Sequence, residues 1–352
     1  MQAHYIFAIA LSLAYLTLLQ ATFPSLRGNL TASFCQGFNS KFPANMSASF
    51  ARLSGPWKHV IAFIETPESN YYPINRNSTV SSHKITKIFW STSKTVPDPV
   101  PTHLLNMYAN NSNWKYFIID DEHATQFINT VYNGTGIAFA YNSINLGYGA
   151  IKADIFRLAV LYTFGGVYVD LDSVLSARLD ESLKPDDSFV VGGEQPVHYC
   201  ACNCYTNSFV LSDPRFNSES FTSKLPWRSR KLVQADLISK AHHIFIRRTL
   251  RNMVTMYNLY CQSKPVFLSD MNPEYLVYCS SGPDALTAAV RQVLHQKKLT
   301  PSRLLRYAGI DYEELGGNVK AGDISGSSVH WKTVAWQGVP LFNEDLQNHW
   351  YA

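Results

Sequence analysis

Two aspartates with one residue between them, Asp170 and Asp172, close the run Val167-Tyr168-Val169. Alternate side chains of an extended chain share a face, so both carboxylates point the same way. Two oxygen ligands at a strand end suit a hard divalent cation that keeps positions open for phosphate oxygens. Upstream, the spacing of Asp154 and Arg157 places them on one side of a helix. That helix is read from Ile151, Ile155, Leu158, Ala159 and Tyr162, which recur at helical intervals as a buried face. Gly165-Gly166 ends it, because glycine takes the positive φ that a C-terminal cap wants.

The block D-x-x-R followed by GG-x-Y-x-D-x-D resembles the sugar-binding region of glycosyltransferase family 32. That family holds fungal α-mannosyltransferases, the lactosylceramide α-galactosyltransferase type and, more distantly, clostridial toxin glucosyltransferases. The resemblance implies that Asp170 and Asp172 are catalytic and bind Mn2+ (or Mg2+), with Asp172 on the ion that bridges the donor diphosphate. It implies that Asp154, Arg157, Tyr168 and Asp170 bind the donor, and that the α-configuration is retained. The implied donor is a nucleotide sugar of the GDP-mannose or UDP-galactose type, and the implied acceptor a glycolipid or glycan.

Weaker matches extend from about residue 85 to 336. Lys87-Ile88 aligns with the family's opening strand, which puts Trp90 at a family histidine and Ser93 at a family tryptophan that stacks on the base in toxin relatives. Trp90 is read either as a substitute stacking platform or as core. Glu194, after a strand at Phe189-Val190-Val191, is an acceptor candidate. ADLISKAHHIF, from Ala235 to Phe245, resembles a family segment and makes His243 a second one. Ser280-Ser281-Gly282-Pro283 resembles a family turn that opens a helix and is given a structural role. His330 and Trp336 resemble a C-terminal loop that closes over the donor diphosphate.

VYVDLDSVL also fits the haloacid-dehalogenase-like phosphatase motif, with Asp170 as nucleophile. That motif normally opens its domain, whereas a whole α/β region precedes it here. Asp186-Asp187 also follows too closely to be that fold's later acidic pair. A non-catalytic luminal sugar-binding protein is the remaining alternative, against which the intact Asp154, Arg157, Asp170 and Asp172 argue.

The chain of 352 residues has room for one large domain with a tail, or two small ones. An apolar content of 46% suits a sizeable core. The net charge is +4 and the basic residues are scattered, which leaves nucleic-acid binding unsupported. Tyr5 to Leu19 is apolar and uncharged. It reads as a signal anchor or a cleaved signal peptide within residues 1–23. The anchor reading implies a single-pass type II protein of the Golgi or another secretory membrane, with its catalytic domain in the lumen. Asn29, Asn45, Asn77, Asn110 and Asn133 each begin a glycosylation sequon, which suits lumenal exposure.

Six cysteines fit the same compartment. Cys200, Cys202 and Cys204 alternate, and neighbours in C-x-C rarely bond each other without strain. Each is expected to reach one of the scattered Cys35, Cys261 and Cys279; a zinc site with His198 is the alternative.

The elements that position the chemistry are read as an α/β fold with a mixed central sheet, of the GT-A-like, nucleotide-sugar-binding, Rossmann-like kind. Residues 24–83 are expected to form a stem or N-terminal extension, and 84–345 the catalytic domain. Strands are expected at His59–Ile64, Ile85–Trp90 and Trp114–Ile119, with a helix from Glu122 to Tyr132 and Asp120-Asp121 as its N-cap.

Overall fold

The computed structural model describes residues 35–39, 41–69, 85–171, 178–183, 187–193, 232–263, 277, 280–297 and 306–307. Asp172, Glu194, His330, Trp336, the Tyr5–Leu19 segment and the sequons at Asn29 and Asn77 lie outside these residues, as do Cys200, Cys202, Cys204 and Cys279. Among the described residues no helix is long and apolar enough to cross a membrane.

Among the described residues a mixed six-stranded sheet runs in the order β2-β1-β3-β5-β4-β6. Its strands are β1 (Ile88–Ser93), β2 (Lys115–Asp120), β3 (Gly166–Val169), β4 (Phe189–Gly193), β5 (Leu232–Ser239) and β6 (Arg306–Tyr307). Strand β1 pairs in parallel with both β2 and β3. Strand β5 runs antiparallel to β3 and to β4, which makes the sheet mixed. Helices α1 (Pro56–Ile64), α2 (Thr102–Asn110), α3 (Asp121–Val131), α4 (Gly136–Ser143), α5 (Gly149–Phe164), α6 (Leu179–Ser182), α7 (Ile244–Ser263) and α8 (Pro283–Lys297) complete the fold.

The period-two alternation of the strands divides the core. Ile88, Trp90, Tyr168 and Leu237 join the large cluster with α1, α3, α5, α7 and α8. Phe89, Val167, Val169 and Ile238 face the other way, onto Leu104 and Met107 of α2. The central helix α5 is buried from Asp154 to Phe164 without a break. It exceeds the single apolar face read from its periodicity; a helix enclosed all round is the spine of a core rather than its cover.

Three sequence expectations need correction. His59–Ile64 is part of a helix rather than a strand. Pro56 occupies the first turn, and Trp57, Val60 and Ile64 present one buried side at helical spacing. A short apolar run cannot tell the two apart by pattern alone. Strand β1 begins three residues later than expected and continues to Ser93, because its ladder with β2 runs on to the pair Ser93↔Asp120. The stem reading of residues 24–83 also changes. Cys35, Phe38, Phe50, Leu53 and Trp57 lie in one cluster with Ile155, Leu158 and Tyr257, so a boundary at residue 83 would divide a single core. Trp57 stacks on Phe127 at 4.7 Å and donates its indole N–H to the His123 carbonyl. Cys35 bonds to Cys261 near the end of α7, so two of the scattered cysteines pair with each other.

Asp120 caps α3 as expected, its side chain accepting from the His123 amide at 2.8 Å. The turn from α5 into β3 depends on its two glycines, with φ of 70° and 104°. A Cβ at Gly165 would lie 2.5 Å from the Ala241 nitrogen, and one at Gly166 2.5 Å from the Ile88 oxygen. Both dihedral and space therefore restrict this turn to glycine.

Candidate functional site

The parallel strands β1, β2 and β3 end on the same edge of the sheet, the edge where open α/β sheets bind ligands. Asp170 follows directly on β3 there, with its side chain 31% exposed. The Ser91 hydroxyl donates to the Val169 carbonyl at 2.7 Å and fixes the strand end beside β1. His103 of α2 donates a ring N–H to the carbonyl of Leu171, the middle residue of the aspartate pair, at 2.6 Å.

Helix α5 brings Arg157 over the opposite side of the strand end. Its Nη2 donates to Asp170 Oδ1 at 2.7 Å, and its Nη1 lies 3.1 Å from Asp154 Oδ1. Nη1 also donates to the Gln234 carbonyl at 2.7 Å. Gln234 lies in the stretch of β5 opposite the irregularity where the β4–β5 register shifts between Val191 and Gly193. The guanidinium lies 4.4 Å from the centre of the Tyr168 ring, in cation–π contact. Ser281, two residues before α8, donates to Asp154 Oδ2 at 2.7 Å.

Arg157 and Asp154 are each only 6% exposed. Burial alone would lower the arginine's pKa, but the carboxylates of Asp170 and Asp154 beside it raise it above its ordinary value. Burial raises the Asp154 carboxyl, against the opposing pull of Arg157 and the Ser281 hydroxyl. Burial likewise raises the Tyr168 phenol, which therefore stays protonated. Two buried charges in a helix interior are costly unless paired and hydrogen-bonded, and here they are both.

The structure thus brings together Asp154, Arg157, Tyr168 and Asp170; the sequence spacing pointed only to the Asp154–Arg157 pair, and the family resemblance implied the rest. The structure also changes several readings. Both oxygens of Asp154 are engaged within the protein, one by Arg157 and one by Ser281. Tyr168 is fully buried, with its ring against the Arg157 guanidinium. Trp90 is fully buried, donates its indole N–H to Gly165 O at 2.8 Å and stacks on Phe117 and Phe164. It is core, not a base-stacking platform. His243 is 1% exposed and packed on Phe189 and Phe245. Burial and the nearby Lys240 lower its pKa to about 3. It is a packing residue rather than an acceptor contact.

Ser281, His103 and the Gln234 carbonyl were missed by sequence reasoning. Helical spacing announces Asp154 and Arg157, but no local pattern marks a serine 127 residues away as a partner. An open cavity of about 760 Å3, lined by Phe63, Lys87, Asn113 and Lys115 among others, lies at the N-terminal ends of β1 and β2 and takes no part in this site.

Asp170 is the described member of the candidate metal pair. A partly exposed carboxylate at a strand end, held in place by an arginine, is a donor of the kind a hard divalent cation takes. Among the described residues no cluster of three or more His, Cys, Asp or Glu side chains forms a metal site.

Residues 97–190 match the family model for the glycosyltransferase sugar-binding region containing a DXD motif, a span that includes Asp170, Leu171 and Asp172. By enzyme class the chain is a glycosyltransferase. Its structure is similar to that of PaToxG glycosyltransferase, at 14% identity and a TM-score of 0.35, over 78% of this chain and 90% of that one. It is also similar to the ligand-free glycosyltransferase domain from the YGT toxin, at 11% identity and a TM-score of 0.32, over 63% and 79% of the two chains. Both overlays are loose. No curated protein matches the chain.

Proposed function

We propose that this protein is a retaining, metal-dependent glycosyltransferase with a GT-A-like catalytic domain. It moves a hexose from a nucleotide sugar of the GDP-mannose or UDP-galactose type to a glycolipid or glycan acceptor and forms an α-linkage. The observation that carries this reading is the Arg157 guanidinium held against Asp170 at the end of β3, inside the matched sugar-binding region.

In this reading Arg157 and Asp170 orient the donor by charge-assisted hydrogen bonds. Asp170 and Asp172 would hold Mn2+ or Mg2+, which supplies charge neutralisation on the departing diphosphate. Among the described residues no covalent nucleophile is evident, and Asp170 Oδ1 is engaged by Arg157. The acceptor hydroxyl therefore attacks the anomeric carbon from the face the diphosphate leaves. The new C–O bond forms as the bond to the diphosphate breaks, and the hydroxyl proton passes to a donor phosphate oxygen. Residues 1–23 would anchor the enzyme in a Golgi or other secretory-pathway membrane, with the catalytic domain in the lumen. The exposure of Asn45, Asn110 and Asn133 is compatible with glycosylation there.

Titration calorimetry tests this. GDP-mannose, UDP-galactose, UDP-glucose and UDP-N-acetylglucosamine are each added with and without manganese. One donor is expected to bind only with manganese. Asp172→Ala should then lose about 3 kcal/mol or more of transition-state stabilisation, a hundred-fold or greater fall in turnover. Near-normal turnover in that variant, or no binding by any donor, would overturn the proposal, and phosphorylation of Asp170 would point to phosphatase chemistry instead.

A further inference from the structure

Ser281, Asp154 and Arg157 form a chain of contacts beneath the site. Ser281 is fully buried, and its hydroxyl has one proton for two acceptors: Asp154 Oδ2 at 2.7 Å and the Val277 carbonyl at 3.3 Å. The shorter contact goes to the ionised group, which is the stronger acceptor. The other oxygen of Asp154 meets Arg157 at 3.1 Å, and the far side of that guanidinium meets Asp170. The Gln234 carbonyl and the Tyr168 ring limit the remaining directions in which the guanidinium can turn.

The two members of this chain that hold Arg157 both rest on firm elements. Asp154 sits in the fully buried stretch of α5. Ser281 is held by its amide donating to Val277 O at 3.1 Å, and its neighbour Ser280 accepts from the Tyr257 hydroxyl at 3.2 Å. Pro283 then starts α8.

We propose that Ser281 and Asp154 act as a latch that fixes the Arg157 guanidinium in the plane and direction needed to meet Asp170 and a donor. Ser281 and Asp154 are positioning residues, while Arg157 and Asp170 make the donor contacts. The serine keeps the Asp154 carboxylate from rotating away from Arg157, and α8 thereby gains a hold on the site although it touches no substrate. The latch itself rests only on the geometry above; its effect on turnover rests on the glycosyltransferase reading.

The test uses the full chain labelled with nitrogen-15 arginine. The Arg157 guanidinium signals are assigned by their loss in Arg157→Lys. The wild type is expected to give separate, slowly exchanging Nη–H signals for this residue, the mark of a guanidinium that cannot rotate. Ser281→Ala should average or broaden them, and Ser281→Thr should keep them. Should the alanine variant not fold, Ser281→Cys preserves the volume with a weaker donor and is expected to show the same averaging. In donor hydrolysis with UDP-galactose or GDP-mannose and manganese, Ser281→Ala should lower kcat/KM about ten- to a hundred-fold, the range for losing a hydrogen bond to a charged group. Ser281→Thr should recover it. Unchanged Arg157 signals in a folded Ser281→Ala or Ser281→Cys protein would sink the latch. A wild type that hydrolyses no donor would instead sink the glycosyltransferase reading, while the spectra still decide the latch.

Discussion

Arg157 is the hinge of the site at the scale of single residues, because both described carboxylates, Asp154 and Asp170, touch it. Its two carboxylate partners could be picked out from the sequence, Asp154 by helical spacing and Asp170 by its place after a short apolar strand. What each carboxylate does could not. Burial of Asp154 and the direction of its second oxygen depend on Ser281, which arrives from a distant turn. Trp90 gives the same lesson in reverse. It stands near the position where relatives stack a base, yet its indole completes the α5–β3 turn through Gly165. Trp90→Phe should therefore destabilise the fold by about 1–3 kcal/mol, from a lost hydrogen bond and a small void. Donor KM should not change. Chemical denaturation alongside donor titration checks this, and a raised KM with unchanged stability would return Trp90 to the binding site.

At the scale of elements, the parallel strands and the glycine turn were legible because their signals are local. Val167-Tyr168-Val169 alternates, and Gly165-Gly166 admits few other conformations. The N-terminal region was less so. Residues 35–69 contain few strong periodic signals, and α1 is a short apolar run that pattern alone leaves ambiguous. What makes it a helix in the core is contact with α3 and α5, through Trp57 against Phe127, Phe156 and Phe164. The Cys35–Cys261 bond ties this region to α7 across a sequence separation of 226 residues. Closing so long a loop removes much freedom from the unfolded chain, so Cys35→Ser with Cys261→Ser should cost about 2–5 kcal/mol. Denaturant midpoints of oxidised, reduced and doubly substituted protein measure it. Equal midpoints would show that packing alone holds the segment.

For the whole molecule, two histidines just before α7, His243 buried and His242 half-buried, set an acid limit. Burial, with Arg247 nearby, lowers His242 to about 4, while burial with Lys240 lowers His243 to about 3. In the unfolded chain both would titrate near their ordinary value of about 6.5. The unfolded state thus binds more protons than the folded one between those values and 6.5. Stability from these groups is fully present above about pH 6.5 and falls as pH drops toward 4 and then 3. By pH 5 the loss should be about 2 kcal/mol for each histidine. Thermal melts at pH 7 and pH 5 test this, and His243→Leu should flatten the difference. The mixed sheet and its two faces were legible in outline from alternating strands and helices. The order of β5 and β4 was not, because it is set by contacts between segments far apart in the chain.

The pairing of Cys35 with the far end of α7 also bears on how the polypeptide is made. Synthesis proceeds from the N-terminus, so Cys35, Phe38 and Trp57 leave the ribosome well before the helix that covers the first two. Domains of high contact order fold slowly and keep apolar surface exposed meanwhile. In an oxidising compartment, Cys35 would meet Cys200, Cys202 and Cys204 of the growing chain before Cys261 exists. Correct pairing therefore calls for a late choice among thiols, and the yield of native enzyme should depend on thiol–disulfide exchange as much as on the strength of its core.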